Sequence, residues 1–100
     1  MEEKYFYFIT TFQSYNDYGI NQSRCWGFYD LFIEAQNVVI NNVSDIYENT
    51  YHYAIIEEYE MGIFGATLNR WFYKYNPENK KYEPMSEPEQ LKHFIGFALS

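Results

Sequence analysis

Few side chains in this sequence could act on a substrate. His52 and His93 are its only histidines and Cys25 its only cysteine. A structural zinc site takes four nitrogen or sulfur ligands at recognisable spacing, and these three scattered residues do not supply one. No metal and no cofactor are expected. Cys25 could pair with a histidine as a nucleophile. It sits between Arg24 and Trp26 in an apolar stretch, where a lone thiol behaves as a small core hydrophobe, and that is the reading taken.

The carboxylates Glu57, Glu58 and Glu60 are the most enzyme-like group. On a strand, Glu58 and Glu60 point from one face, as a general acid and base or the ligands of a hard cation would. No nucleophile or oxyanion donor stands near them in the sequence, and acids closing a strand commonly form a solvated face that blunts edge pairing. The protein is therefore expected not to be an enzyme.

Phosphate-binding loops are absent: neither Gly62 nor Gly65 leads into Lys-Ser/Thr, and no Gly-x-Gly-x-x-Gly occurs. Arg24 with Trp26, and Arg70 with Trp71, could still clamp and stack a small nucleotide, as a sponge or sensor would, at a dimer interface. The plainer reading is that each arginine covers a tryptophan with its stem at a strand end.

Acidity is unevenly placed. The net charge is −7, and between Arg24 and Arg70 the chain holds Asp30, Glu34, Asp45, Glu48, Glu57, Glu58 and Glu60 but no lysine or arginine. Elsewhere acids and bases balance. Such a stretch repels phosphates, so direct binding to DNA or RNA is not expected, whereas a basic protein surface is attracted. The tyrosines are too many for all to be buried in a domain this small, and beside acids they make a rigid, amphipathic recognition surface. The expected partner-binding set is Asp45, Glu48, Tyr51, Tyr53, Glu57, Glu58, Tyr59 and Glu60. Acidity that only keeps an aromatic-rich chain soluble is the competing reading.

These residues must be held by a small scaffold. At 100 residues and 47% hydrophobic content the chain fits one domain, 1–100, with one core. The 23% aromatic content favours sheet over helix. Residues 4–12 alternate as a strand, Phe6, Phe8, Thr10 and Phe12 on one face and Tyr5, Tyr7, Ile9 and Thr11 on the other. Residues 13–23 are polar and turn-forming and read as a long hairpin connection. Residues 24–29 form the second strand, with Gly27 marking a bulge or a close backbone approach.

Asp30 is placed to cap a helix reaching about Asn41, with Leu31, Ala35, Val38 and Asn42 aligned at helical spacing, Phe32 and Val39 beside them, and Glu34, Gln36, Asn37 and Asn41 outward. Residues 43–50 are a polar connection, 51–60 a third strand, and Met61 to Gly65 a glycine break. Residues 70–75 and 81–85 pair around the turn Asn76-Pro77-Glu78-Asn79, with Pro84 placing the last strand at an edge. Ser86 and Glu89 suggest a capping box opening a short helix to about Ile95. The fold expected is α+β: a mostly antiparallel sheet of about five strands in ββαβββ order, one main helix on a face, and a short C-terminal helix.

No apolar run is long enough to cross a membrane, and the stretch after Met1-Glu2-Glu3-Lys4 is too short for a signal peptide, so a cytoplasmic location is expected. Ile9-Thr10-Thr11-Phe12, Arg24-Cys25-Trp26-Gly27-Phe28, Asp45-Ile46-Tyr47-Glu48, Ala54-Ile55-Ile56-Glu57-Glu58 and Trp71-Phe72-Tyr73-Lys74 together resemble a group of small acidic, uncharacterised proteins of gut Firmicutes and their phages or mobile elements. The resemblance implies an accessory or anti-defence factor that binds and blocks a basic or nucleic-acid-binding surface of a host protein. A structural homo-oligomer that buries the aromatic excess, at simplest a homodimer, is a further alternative.

Overall fold

The computed structural model describes residues 5–16, 19–43, 51–60 and 69–91. The chain is α+β. Strands β1 (Tyr5–Phe12), β4 (Arg24–Tyr29), β5 (Tyr53–Glu60), β6 (Asn69–Asn76) and β7 (Lys81–Met85) form one antiparallel sheet in the order β4-β1-β5-β6-β7. Helix α1 (Phe32–Ile40) lies between β4 and β5 in sequence and packs on one face of that sheet. Both β4 and β5 run antiparallel to β1, so they are parallel to each other with β1 between them.

Alternation in β1 and β5 sorts the sheet into two layers. On the helix side, Ile9, Ala54, Ile56, Tyr73 and Tyr82 meet Ala35 and Val39 of α1. On the far side, Phe12, Ile55 and Phe72 pack with Leu91 of a short 3-10 turn, Glu89–Leu91. Strand β5 is central and its run Ala54–Glu57 is buried throughout. Each fully buried isoleucine here contributes about 2 kcal/mol of burial free energy.

The long hairpin connection expected over residues 13–23 carries its own pairing. Strands β2 (Ser14–Asn16) and β3 (Gly19–Asn21) form a small second sheet, with Tyr15 opposite Ile20, and the Gln13 N–H donates to the Asn21 carbonyl at 3.0 Å. The hairpin of β1 and β4 thus continues past a break into a short paired extension. The apolar Tyr15–Ile20 pair, which packs against the Phe12–Ile55 cluster, gives those polar residues a reason to stay extended.

Gly27 does mark a bulge. The β1–β4 register shifts between Ile9 and Thr10, which oppose Gly27 and Cys25, so Trp26 is the extra residue, and Gly27 has φ +116°. The Trp26 Nε1–H donates to Thr11 Oγ1 at 2.6 Å, turning the bulged indole onto the helix face. The hairpin after β6 forms where the sequence suggests, but its turn is one residue longer: the Lys80 N–H donates to the Asn76 carbonyl at 2.9 Å, Lys80 has φ +57°, and Asn76 Oδ1 accepts from the Glu78 N–H at 3.0 Å.

Two expectations about helices change. Asp30 is not the cap; Leu31 occupies the N-cap position with no side-chain capping bond, and α1 begins one residue later than a cap at Asp30 requires. Leu31 accordingly lies outside the helix and is 52% exposed, while Ala35 and Val39 are buried on the inward side with Phe32 and Val38 packed beside them. Glu89–Leu91 forms a 3-10 turn, and the expected continuation to Ile95 lies outside the described residues, as do residues 44–50 and the glycine break.

Candidate functional site

The expected acidic, tyrosine-rich surface does not assemble as one patch. Asp45 and Glu48 lie outside the described residues. Glu57 and Tyr59 are buried on the sheet face away from the helix, where the Tyr59 hydroxyl donates to Glu57 Oε2 at 3.3 Å. Tyr53 shares that face, half-buried and stacked on Phe12 at 5.3 Å between ring centroids. Glu58 and Glu60 point to the opposite face and are half-buried. Tyr51 precedes β5; its carbonyl accepts the Tyr82 hydroxyl at 2.6 Å, and its ring meets Trp26 edge-on.

Nor do the carboxylates stand ready for acid–base work. Glu57 lies directly opposite Arg70 in the β5–β6 register, and Arg70 also pairs with Glu87 at 2.9 Å. Both oxygens of Glu58 are engaged: Oε2 accepts from the Tyr7 hydroxyl at 2.8 Å, and Oε1 from the Asn69 amide at 2.8 Å. Burial first, then the hydrogen bond to Glu58 and its negative charge, push the Tyr7 hydroxyl above its ordinary pKa. The Tyr73 hydroxyl is also raised by burial, which a hydrogen bond with Gln36 partly offsets. Glu57 was expected on a solvated strand end; the sheet instead closes over it on both sides, since β5 is central.

The two Arg–Trp pairs are not brought together. Arg24 stands opposite Thr11 on β4 and Arg70 opposite Glu57 on β6, with β1 and β5 between them. Three interstrand steps put them about 14 Å or more apart, too far for one phosphate. Each pair also behaves differently. The Arg24 guanidinium lies over the Trp26 ring at 4.1 Å, covering it in the plain manner expected of such a neighbour. Arg70 and Trp71 point to opposite faces, Trp71 packing on Phe32 at 4.4 Å between ring centroids. A cleft of about 200 Å³ beside Arg70, Trp71, Pro84 and Glu87 is smaller than most ligand pockets, and Glu87 already holds the guanidinium there.

Cys25, expected in the core, is exposed on β4 and stands opposite Thr10 on the face away from the helix. His52 is exposed, and His93 lies outside the described residues. Among the described residues no group of three or more His, Cys, Asp or Glu side chains converges as metal ligands would.

Exposed apolar surface appears elsewhere than expected. Every described tyrosine is buried or half-buried. Among the described residues the large hydrophobics most exposed to solvent are Phe28 at 57%, Ile33 at 56%, Leu31 at 52% and Val43 at 45%. Three of these fall within residues 28–33, interleaved with the exposed acids Asp30 and Glu34. This acidic–apolar corner, where β4 turns into α1, is the most distinctive surface of the described chain. Its signal was present in Leu31-Phe32-Ile33: successive helical positions turn by about 100°, so three adjacent apolar residues cannot all face one core. The chain matches no family model, no curated protein and no solved structure among those with which it was compared.

Proposed function

We propose that the protein works by binding, with no chemistry of its own, and that the β4–α1 corner docks onto a basic surface of another protein. The observation that carries this reading is the exposure of Leu31 and Ile33 beside Asp30 and Glu34, in a chain of net charge −7. Apolar anchors supply affinity on desolvation, and flanking carboxylates steer a basic partner and reject acidic ones. The contact residues therefore move from β5, where Glu57 is buried and both oxygens of Glu58 are engaged, to residues 30–34 at the start of α1. A nucleic-acid-binding groove on a host effector is a fitting target class, because carboxylates can stand where phosphates would. That setting rests on the resemblance to small acidic proteins of phages and mobile elements.

The test is a paired affinity capture from the native host, with a tagged wild-type chain and a Leu31→Ser/Ile33→Ser variant of unchanged melting temperature. The wild type should retain a basic protein that elutes as ionic strength rises, and the variant should not. Equal retention by both chains, or retention indifferent to salt, would contradict the proposal.

A further inference from the structure

The two edges of the sheet are built differently. Strand β7 carries exposed Lys81 and Glu83 and has Pro84 within it, the charged and N–H-less residues that discourage strand addition. Strand β4, at the opposite edge, has neither lysine nor proline, and its Cys25 and Phe28 are exposed. Phe28 is nonetheless fixed, its ring edge-on to Phe6 at 5.1 Å and tilted on Phe8 at 5.4 Å. An edge with a rigid exposed aromatic, no proline and a single charge, Arg24 at its first position, is more open to pairing than β7.

Its bulge makes this edge self-complementary. Arg24, Gly27 and Tyr29 stand opposite Thr11, Ile9 and Tyr7 and so share the helix face, joined there by the bulged Trp26; Cys25 and Phe28 stand opposite Thr10 and Phe8 on the far face. From Arg24 to Tyr29 the order of faces is helix, far, helix, helix, far, helix, which reads the same in both directions. Directly opposite residues in an antiparallel pair must share a face, and a two-fold axis makes each contact twice. A regular strand could not centre such an axis between two residues; this one can, between Trp26 and Gly27.

We infer that β4 pairs antiparallel with β4 of a second copy, the axis passing between Trp26 and Gly27 and the two sheets joining into one. Arg24 then lies opposite Tyr29 of the second copy and one residue from its Asp30, so the strand's one cation and the anion just past its other end attract across the seam without a direct ion pair, twice. Cys25 lies opposite Phe28. Trp26 lies opposite Gly27, beside which an added Cβ would meet nothing within 4 Å. These local attractions work against the repulsion between two chains of net charge −7, so the pairing tightens at moderate salt. The inference shares Asp30 with the proposed binding role but uses neither Leu31 nor Ile33, so Leu31→Ser/Ile33→Ser, which abolishes that role, should leave the pairing intact.

Sedimentation and cysteine cross-linking of the full chain test it together. The wild type should sediment as a dimer; Asp30→Arg should raise the dimer dissociation constant about tenfold or more, and Arg24→Asp/Asp30→Arg should recover it. Under mild oxidation Phe28→Cys should give a covalent dimer through Cys25 and the new cysteine. The wild type should not, since its two Cys25 residues are offset by three positions, about 10 Å, beyond disulfide reach of roughly 7 Å. A monomeric wild type, a dimer indifferent to the charge swap, or a Phe28→Cys chain that stays unlinked while the wild type links would overturn the pairing. Protection of the β4 edge only on adding a basic polypeptide would likewise overturn it, assigning the edge to that partner.

Discussion

Glu57 is fully buried at the centre of the sheet and stands directly opposite Arg70, whose guanidinium reaches on to Glu87 at 2.9 Å. A buried carboxylate is tolerated only with compensating partners, and its neighbouring strand supplies a cation at the facing position. Arg70→Met should therefore destabilise the fold by about 3 kcal/mol, because it strands the charge of Glu57. Glu57→Gln should cost less, and the double variant should be more stable than Arg70→Met alone. Urea unfolding of the four chains checks this; additive losses would show that the two residues do not act together.

The bulge rests on glycine for its backbone and not for space. Gly27 has φ +116°, a region that L side chains rarely adopt, while an added Cβ would meet no atom within 4 Å. Gly27→Ala should lower stability by about 1–2 kcal/mol through backbone strain alone. In a chain of this size that is a fall of several degrees in Tm, about 4–8 °C per kcal/mol, measurable by thermal unfolding. No change in Tm would mean that the bulge relaxes to an ordinary strand.

Alkaline pH should weaken the fold through Tyr7 and Tyr73. Both hydroxyls have folded-state pKa values raised above the ordinary value of 10.0, chiefly by burial. The folded chain then holds these protons more tightly than the unfolded chain, so their stabilising contribution is complete below pH 10 and is lost as pH rises beyond it. Tm measured across that range should fall, and the fall should be shallower in Tyr7→Phe and Tyr73→Phe. Tyr7→Phe should also start from a lower Tm, since it removes the 2.8 Å hydrogen bond to Glu58.

Much of the scaffold was legible because it rests on local rules. Alternation in residues 4–12 and 51–60 set two strands, Asn76-Pro77-Glu78-Asn79 set a turn, Gly27 set the bulge, and Pro84 set an edge. The surface was less legible because it depends on where strands end up. Nothing local in Ile-Ile-Glu-Glu shows that Glu57 will face an arginine from the next strand and be covered while Glu58 turns to the other side. Tyr53 and Tyr59 read as exposed because their neighbours are acids, yet β5 is central and takes them inward, and Tyr51, just before β5, is half-buried against Trp26. Leu31 aligns with Ala35 and Val38 only if Asp30 is the cap; with Leu31 itself at the N-cap, it faces solvent.

The binding role is tested most directly by titrating the isotopically labelled chain with an amphipathic peptide of lysine and leucine and following its amide NMR signals. Changes should centre on Leu31, Ile33 and Glu34, shrink as ionic strength rises, and be lost in Leu31→Ser/Ile33→Ser. Changes centred instead on Tyr53–Glu60, or none at any peptide concentration, would contradict binding through the β4–α1 corner.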